Sequence, residues 1–306
     1  MSRKSMTGPG GTLTDINGVR VGHWTDAVGR TGCSVVLLPT GSVASGEVRG
    51  GAPGSREWAL LDPGRTVDAV DAVVLAGGSA FGLAACDGVM AWCEEQGRGW
   101  PTPAGPVPIV VGLVLYDLTT GDPSARPGRA EGYRACREAS AEPVPSGLLG
   151  AGTGATIGKW RGPAATRAGG LGSASESDGD LIVAALVAVN AIGDIRPADG
   201  RPVPLTSWPA PPGTAGPGTN TTVGVVVTNG QLTKLDCRRV AGAAHDGLAR
   251  AVEPVHLTGD GDAFVAAATG VVAATVDQVA SLAARAVEMA VRAAVADEAP
   301  QSRGRG

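Results

Sequence analysis

Apolar positions along the chain fall into short runs, separated by glycine-rich or polar turns. Val19–Trp24 and Cys33–Leu38 read as strands joined by a polar turn. Residues 41–56, GSVASGEVRGGAPGSR, read as loop with room for a short strand. Ala72–Leu75 is a strand running into Gly77-Gly78-Ser79-Ala80-Phe81-Gly82. Leu83–Glu95 then has helical spacing, with Leu83, Cys86, Val89, Met90 and Cys93 on one face. Val107–Leu115 is a long apolar strand ending at Tyr116-Asp117, and Arg129–Ser140 suits a helix. Gly150–Trp160 is a glycine-rich turn followed by a short strand. Asp180–Ile192 has the length of either a buried strand or a helix. Seven prolines between 197 and 219 (Pro197, Pro202, Pro204, Pro209, Pro211, Pro212 and Pro217) exclude a regular element there. Thr222–Thr228 and Phe264–Ala268 follow as strands, and Leu235–Val252 and Val276–Ala296 as helices. The tail QSRGRG is expected to be disordered. Helices and strands mix without strict βαβ alternation, which favours a layered α+β or α/β architecture.

Composition sharpens this picture. Of the 306 residues 43% are hydrophobic but only 3% aromatic, so the core must be built from Ala, Val, Leu and Ile. Glycine accounts for 48 residues, about twice the usual ~7% and without a collagen period, which implies many tight turns and close backbone contacts. A net charge of −4 argues against a nucleic-acid partner, which calls for a basic stripe. The start, MSRKSMTGPGGTLTD, lacks the apolar core of a signal peptide, and the longest apolar stretches are too short or too interrupted to span a bilayer. The expected location is cytoplasmic. The five cysteines (Cys33, Cys86, Cys93, Cys136, Cys237) are odd in number and include no CxxC pair, so they read as reduced, mostly buried thiols. No residue pattern calls for a metal or another cofactor.

Three familiar motifs are nearly present. Gly150–Trp160, GAGTGATIGKW, resembles a phosphate loop, but Thr153 stands at the first glycine and Trp160 where a Mg²⁺-holding hydroxyl belongs. Gly150, Gly152 and Ala155 spell a Rossmann-like turn, yet no clear strand precedes them. The turn at Ser79 has the strand–turn–helix layout of a nucleophile elbow, with its closing glycine one place late. A serine esterase would pair Ser79 with Asp236 or Asp260 and with His245 or His256. Otherwise the glycines permit close packing and Ser79 caps the helix. His23 reads as structural at the first turn, and His245 as lying on a polar helix face.

The segment PGTNTTVGVVVTNG (Pro217–Gly230) poses a different question. Asn220-Thr221 sits where a Pro/Gly-rich stretch becomes a valine-rich strand. A hydroxyl at the start of a strand can attack the carbonyl before it. The ester then hydrolyses, and the freed α-amine, titrating near ~7.7–8.0, takes the hydroxyl proton in later turnovers. The plain alternative is that Thr221 begins a strand, where Thr is common.

Taken together, DINGVRVGHW (Asp15–Trp24), LAGGSAFGL (Leu75–Leu83), GATIGKW (Gly154–Trp160), VNAIGDI (Val189–Ile195), NTTVGVVVTN (Asn220–Asn229), LTK (Leu232–Lys234) and DGDAFVAAATG (Asp260–Gly270) resemble the self-processing aminohydrolases. That family includes the DmpA-type L-aminopeptidase/D-esterase, the β-aminopeptidases and the nylon-oligomer hydrolase, and the resemblance runs from about Leu13 to Ala296. It implies an α/β fold: an αββα sandwich similar to N-terminal-nucleophile hydrolases with its own connectivity. It also implies a single domain cut into chains 1–220 and 221–306, and a homo-oligomer, often a tetramer. The implied partner is a small peptide or amide substrate.

The resemblance puts the nucleophile at Thr221 and the cut after Asn220. Asp260 and Asp262 fall on the pair that orients or deprotonates the nucleophile, Asn190 on the amide that polarises the substrate carbonyl, and Tyr116 and Lys159 on the remaining polar groups. Ser and Glu replace the two Asp in β-aminopeptidase members, so this chain resembles the Thr/Asp/Asp branch. The residue chemistry is compatible and leaves alternatives open. Two close carboxylates push one pKa up, though GDGD also reads as a turn. Asn190 can donate to an oxyanion or simply to a core partner. Lys159 can hold a carbonyl oxygen or be a surface lysine, and the Tyr116 hydroxyl can simply reach water. A related acyltransferase fold is a further alternative, without its nucleophile motif here.

Overall fold

The computed structural model describes residues 11–197, 201, 203 and 219–295. The N-terminal MSRKSMTGPG, six of the seven prolines and the tail QSRGRG lie outside them. Ten strands and four helices carry the architecture. In chain order they are β1 (Arg20–Asp26), β2 (Thr31–Leu37), β3 (Val43–Val48), β4 (Ser55–Arg56), β5 (Ala72–Ala76), α1 (Ala85–Glu95), β6 (Val110–Val114), α2 (Arg129–Arg137), β7 (Gly170–Asp178), β8 (Leu181–Asn190), β9 (Thr221–Gly230), α3 (Lys234–Ala251), β10 (Ala263–Val272) and α4 (Val276–Ala293). One sheet has the order β1-β2-β5-β6-β4 and the other β3-β10-β9-β8-β7.

The sheets stack face to face. Val36, Val73, Leu75, Val111 and Leu113 of the first meet Leu186, Val223, Val225, Val227 and Val265 of the second in one buried core. The outer face of the first sheet, with Val35, Leu37, Val74 and Ala76, packs on Cys86, Val89 and Cys93 of α1 and Ala135 and Cys136 of α2. The outer face of the second, with Val183, Val187, Val226 and Phe264, packs on Val240 and Leu248 of α3 and Val287 and Val291 of α4. The result is the α–β–β–α order of layers. All five cysteines are buried and free.

Side chains alternate across a strand, and each central strand here has a core on both sides. That explains the near-continuous apolar runs. It also settles the segment near 180–192, which is strand. Ala184, Leu186 and Ala188 enter the inter-sheet core while Val183, Ala185 and Val187 face the helices. The loop expected at 41–56 contains β3, which pairs antiparallel with β10 from Val43↔Ala268 to Val48↔Ala263. Its small residues are poor strand formers by propensity. Pairing at the sheet edge overrides this, and Gly46 leaves the room that the Trp58 ring occupies. The helix expected from Leu83 starts at Ala85, after a 3₁₀ turn from Ser79 to Ala84. No helix among the described residues is long and apolar enough to cross a membrane.

The two helices of the outer layer, α3 and α4, begin with capping boxes, Thr233 with Asp236 and Thr275 with Gln278. They approach closely at Gly247, where a Cβ would meet the Ala284 carbonyl oxygen at 2.2 Å. At Gly242 on the same helix the nearest atom would be an Arg49 nitrogen at 3.6 Å. Replacing a helical Gly by Ala ordinarily stabilises by about 1 kcal/mol. The two sites should therefore differ in sign. Gly242→Ala is expected to raise the urea midpoint slightly. Gly247→Ala should lower it, at a cost of about 1–3 kcal/mol from overpacking; equal effects in urea unfolding would contradict this helix contact.

Candidate active site

Strand β9 lies between β8, antiparallel, and β10, parallel. Its first residue, Thr221, pairs with Asn190, the last residue of β8. On the other side Asn220 forms a parallel bridge with Asp260, and the β10 ladder starts at Val223↔Ala263. The register thus brings Asn190, Asn220, Thr221, Asp260 and Asp262 to one end of the second sheet. All five are buried, with Thr221 3% exposed and Asn190 fully enclosed.

Thr221 Oγ lies against the carbonyl oxygen of Asn220 and donates to it. The same oxygen accepts the Gly261 N–H at 2.9 Å. Asp262 fastens the following residue, accepting the Thr222 N–H on Oδ1 at 2.7 Å. Its Oδ2 takes His256 Nδ1 at 2.9 Å and the His256 backbone N–H at 3.3 Å. Asp260 accepts the Leu257 and Ile192 N–H groups at 3.0 and 3.4 Å. The two carboxylates do not stand on a regular strand. Asp260 is an isolated bridge and β10 begins only at Ala263.

Asn190 is the hub. Its Oδ1 accepts from Lys159 Nζ at 2.7 Å and from Thr156 N at 2.9 Å, and its Nδ2 donates to the Tyr116 carbonyl at 2.9 Å. Lys159 Nζ also donates to the Asn190 carbonyl at 3.1 Å. Lys159 is therefore not a solvated surface lysine. Tyr116 joins this network through its backbone carbonyl. Next to it, Asp117 accepts from Thr31 Oγ1 and Gly78 N at 2.7 Å each, tying the turn at Gly77–Gly78 to the first sheet.

Lys159 is seated by its neighbours. Gly158 N and Trp160 N donate to the Gly193 and Ile192 carbonyls. Trp160 Nε1 and Arg161 donate to Asp194 at 2.7 and 2.6 Å. Burial lowers the Lys159 pKa to about 7, against the pull of the Asp260 and Asp262 charges. Burial, and then the charge of Asp262, raise Asp260 to about 7. Two groups of opposite type thus titrate near neutrality at one sheet end, as proton-exchanging sites require.

The other motifs are used structurally. Gly150 N and Ala151 N are taken by Thr25 Oγ1 and Ser34 Oγ at 2.8 and 3.1 Å, so these amides do not cradle a phosphate. Ser79 has the positive φ of an elbow, 54°, but makes no side-chain cap and sits inside the 3₁₀ turn. Its possible triad partners are committed elsewhere: Asp236 caps α3, His245 bonds Glu47 O and His256 bonds Asp262. His245 is fully buried rather than on a polar face, with Phe264 and His256 edge-on to its ring. His23 lies within β1, not at a turn, and bonds Ser34 Oγ at 2.9 Å. The sequence offers His256 only as a partner for Ser79 and Gly261 only as part of a turn, not as contacts of Asp262 and of the Asn220 carbonyl. The available signal was their spacing around the two Asp in His-Leu-Thr-Gly-Asp-Gly-Asp.

The raised Asp260 pKa has a consequence for stability. The folded state holds a proton that the unfolded chain, with an ordinary carboxylate near 3.8, releases. This contribution is complete below about pH 4 and is lost as pH rises through about 7. Relative to Asp260→Asn, the wild type should lose unfolding free energy from pH 4 to 7, with a slope of up to ~1.4 kcal/mol per pH unit. The opposite linkage of Lys159 acts above pH 7, where stability rises toward 10.5. Urea unfolding of both proteins at closely spaced pH values checks the difference; parallel curves would contradict it.

Comparison with known proteins places the chain among relatives of known sequence family and fold. The model of peptidase family S58 matches residues 11–305. An uncharacterized aminopeptidase of Mycobacterium leprae is 43% identical over 303 residues, which cover 88% of this chain and 82% of that one. A 6-aminohexanoate-oligomer endohydrolase of a Kocuria species is 30% identical over 277 residues, 83% and 74% of the two chains. The solved L-aminopeptidase D-Ala-esterase/amidase of Ochrobactrum anthropi, described as a variant among the Ntn hydrolase fold, superposes with a TM-score of 0.72. It covers 96% of this chain and 88% of its own at 20% identity, which is a likeness of fold. With a family model over nearly the whole chain and two named sequence relatives, the chain belongs to peptidase family S58 and is a hydrolase of peptide or amide bonds.

Proposed function

We propose that the chain cuts itself between Asn220 and Thr221, and that Thr221 then serves as an N-terminal nucleophile on small peptide or amide substrates. One observation carries the reading. Thr221 Oγ lies against the carbonyl that it would attack, and the oxygen of that carbonyl already accepts the Gly261 N–H. A backbone donor on the oxygen that becomes an oxyanion is worth several kcal/mol in a buried site.

In the first step Oγ bonds to the Asn220 carbonyl carbon and its proton leaves to a side chain. Before cleavage the Thr221 nitrogen is an amide and cannot serve as base. Lys159 and Asp260, titrating near neutrality, are the groups suited to exchange that proton. The tetrahedral oxyanion collapses, the C–N bond breaks and the Thr221 nitrogen takes a proton. Asn220 is then held as an ester on Oγ. Water attacks the ester, releasing the Asn220 carboxylate and restoring the hydroxyl. Thr221 now carries an α-amine titrating near ~7.7–8.0 beside its own hydroxyl. That amine takes the Oγ proton when a substrate carbonyl occupies the place of Asn220, and an acyl-enzyme forms and is hydrolysed.

In turnover, Asn190 is the group proposed to polarise the substrate carbonyl. Its Oδ1 is anchored by Lys159 and Thr156, which leaves Nδ2 to be aimed. Tyr116 contributes its carbonyl to that aim. The aminopeptidase name of the M. leprae relative supports a substrate with a free amino terminus, and that of the Kocuria relative an amide of an amino acid oligomer. Five free, buried thiols suit a cytoplasmic enzyme. A homo-oligomer of cleaved units completes the proposal, supported by the family resemblance.

Intact mass of purified wild-type protein should show two chains, ending at Asn220 and beginning at Thr221. Thr221→Ala should stay one chain and lose peptide or amide hydrolysis by roughly 10³-fold or more. A wild type that remains whole yet fully active would refute the assignment.

A further inference from the structure

We propose that His256 is a positioning residue for self-cleavage: through Asp262 it holds the backbone at Thr222, and so sets Thr221 Oγ against the Asn220 carbonyl. The inference rests on the self-cleavage reading above and adds to it a residue that touches neither the nucleophile nor the scissile bond.

The chain of contacts is short. Thr222 lies one residue before the first β9–β10 pair, so the ladder leaves its N–H open toward β10. Asp262 Oδ1 takes that N–H at 2.7 Å, in place of a strand carbonyl. A strand carbonyl is rigid, whereas a side-chain carboxylate turns about two bonds unless its other oxygen is also held. His256 holds it twice, with Nδ1 at 2.9 Å and the backbone N–H at 3.3 Å, both on Oδ2. The carboxylate is thus clamped between the residue after the nucleophile and one histidine. It is 2% exposed, so water does not compete for the contact.

His256 meets two structural costs in this role. Its φ is 58°, in the left-handed region that is uncommon for residues other than glycine, although histidine enters it more often than most. Donation from Nδ1 to a carboxylate makes Nε2 the bare nitrogen of the neutral ring, and Nε2 is buried without a partner among the described residues. Strain and an unsatisfied atom at one residue persist where the surroundings over-determine them, and they cluster at functional sites. Here the surroundings are explicit. The His245 ring stands edge-on to His256 at 4.8 Å, itself held by Nε2 on the Glu47 carbonyl at 3.0 Å and by Phe264 at 5.0 Å. The wall behind His256 is therefore fixed from β10, the parallel neighbour of β9, and from β3 beyond it.

A residue that only fills space would be replaceable by anything that fits the backbone. A clamp needs the donor. Asn and Gly both accept the left-handed φ, but only Asn offers a side-chain N–H near the place of Nδ1. The experiment follows cell-free synthesised wild type, His256→Asn and His256→Gly by intact mass, as first-order conversion of the single chain to two. His256→Asn should cleave within about threefold of wild type, and His256→Gly about 10–100-fold more slowly. At about pH 9, well above the range in which imidazoles titrate, imidazole should speed the Gly variant, and neutral 1-methylimidazole, without an N–H, should not. Thermal unfolding in a Thr221→Ala background reports whether each variant folds. If the Gly variant does not, His256→Asp replaces it, with the shape of Asn and acceptors only. Equal rates for Asn and Gly (or for Asn and Asp), or an Asn variant as slow as Gly, would overturn the clamp. A wild type that stays whole would overturn the self-cleavage reading and the clamp with it, whereas a cleaving wild type with an equally fast Gly variant would overturn the clamp alone.

Discussion

The register of β9 is the constraint on which the site depends. Thr221 faces Asn190 on one side, and Asn220 faces Asp260 on the other. A slip by one residue would carry every side chain to the opposite face. It would move Val223, Val225 and Val227 out of the inter-sheet core and Val226 away from the helices. The valines that make this strand rigid therefore also locate the bond before it, and ordinary hydrophobic burial holds the Asn220–Thr221 peptide within reach of groups from β8 and the approach to β10.

The polar groups gathered there are costly to bury, and their bonding shows how the cost is offset. Asn190 is fully enclosed yet has its amide satisfied by Lys159, Thr156 and Tyr116. The two aspartates take backbone N–H groups, and Asp262 also the His256 ring. What remains unrelieved appears as shifted titration, with Lys159 lowered and Asp260 raised toward neutrality. The same desolvation that disfavours these charges makes the pair able to exchange a proton near pH 7. Stability and chemistry at this end of the sheet are thus in tension, and the surrounding hydrophobic layers carry the difference.

Much of the strand and helix order was legible in the apolar runs, because two buried faces per strand leave few polar interruptions. The β9 run was readable for this reason. The strand β3 was legible only as room for a short strand within a loop, since Gly, Ala and Ser have little strand propensity and the edge of β10 makes them pair. Residues near 180–192 were ambiguous, because period alone cannot separate a doubly buried strand from a buried helix. His245 was misread for a related reason: helical position does not reveal which face a neighbouring layer covers.

The order of residues sets the chemical inventory: a threonine opening a valine strand, an asparagine closing an apolar run and two aspartates around a glycine. Its motifs in order also pointed to the sandwich and to self-processing. Tertiary structure decided which of these groups meet, because residues 190, 221 and 260 become neighbours only through pairing across three strands. It also decided the state of Lys159 and Asp260, since burial is a property of packed layers and no local stretch encodes it. His256 shows the same division most plainly. Its spacing to the two aspartates is all that the local sequence offers, and only the fold places its ring between His245 and the carboxylate that holds Thr222.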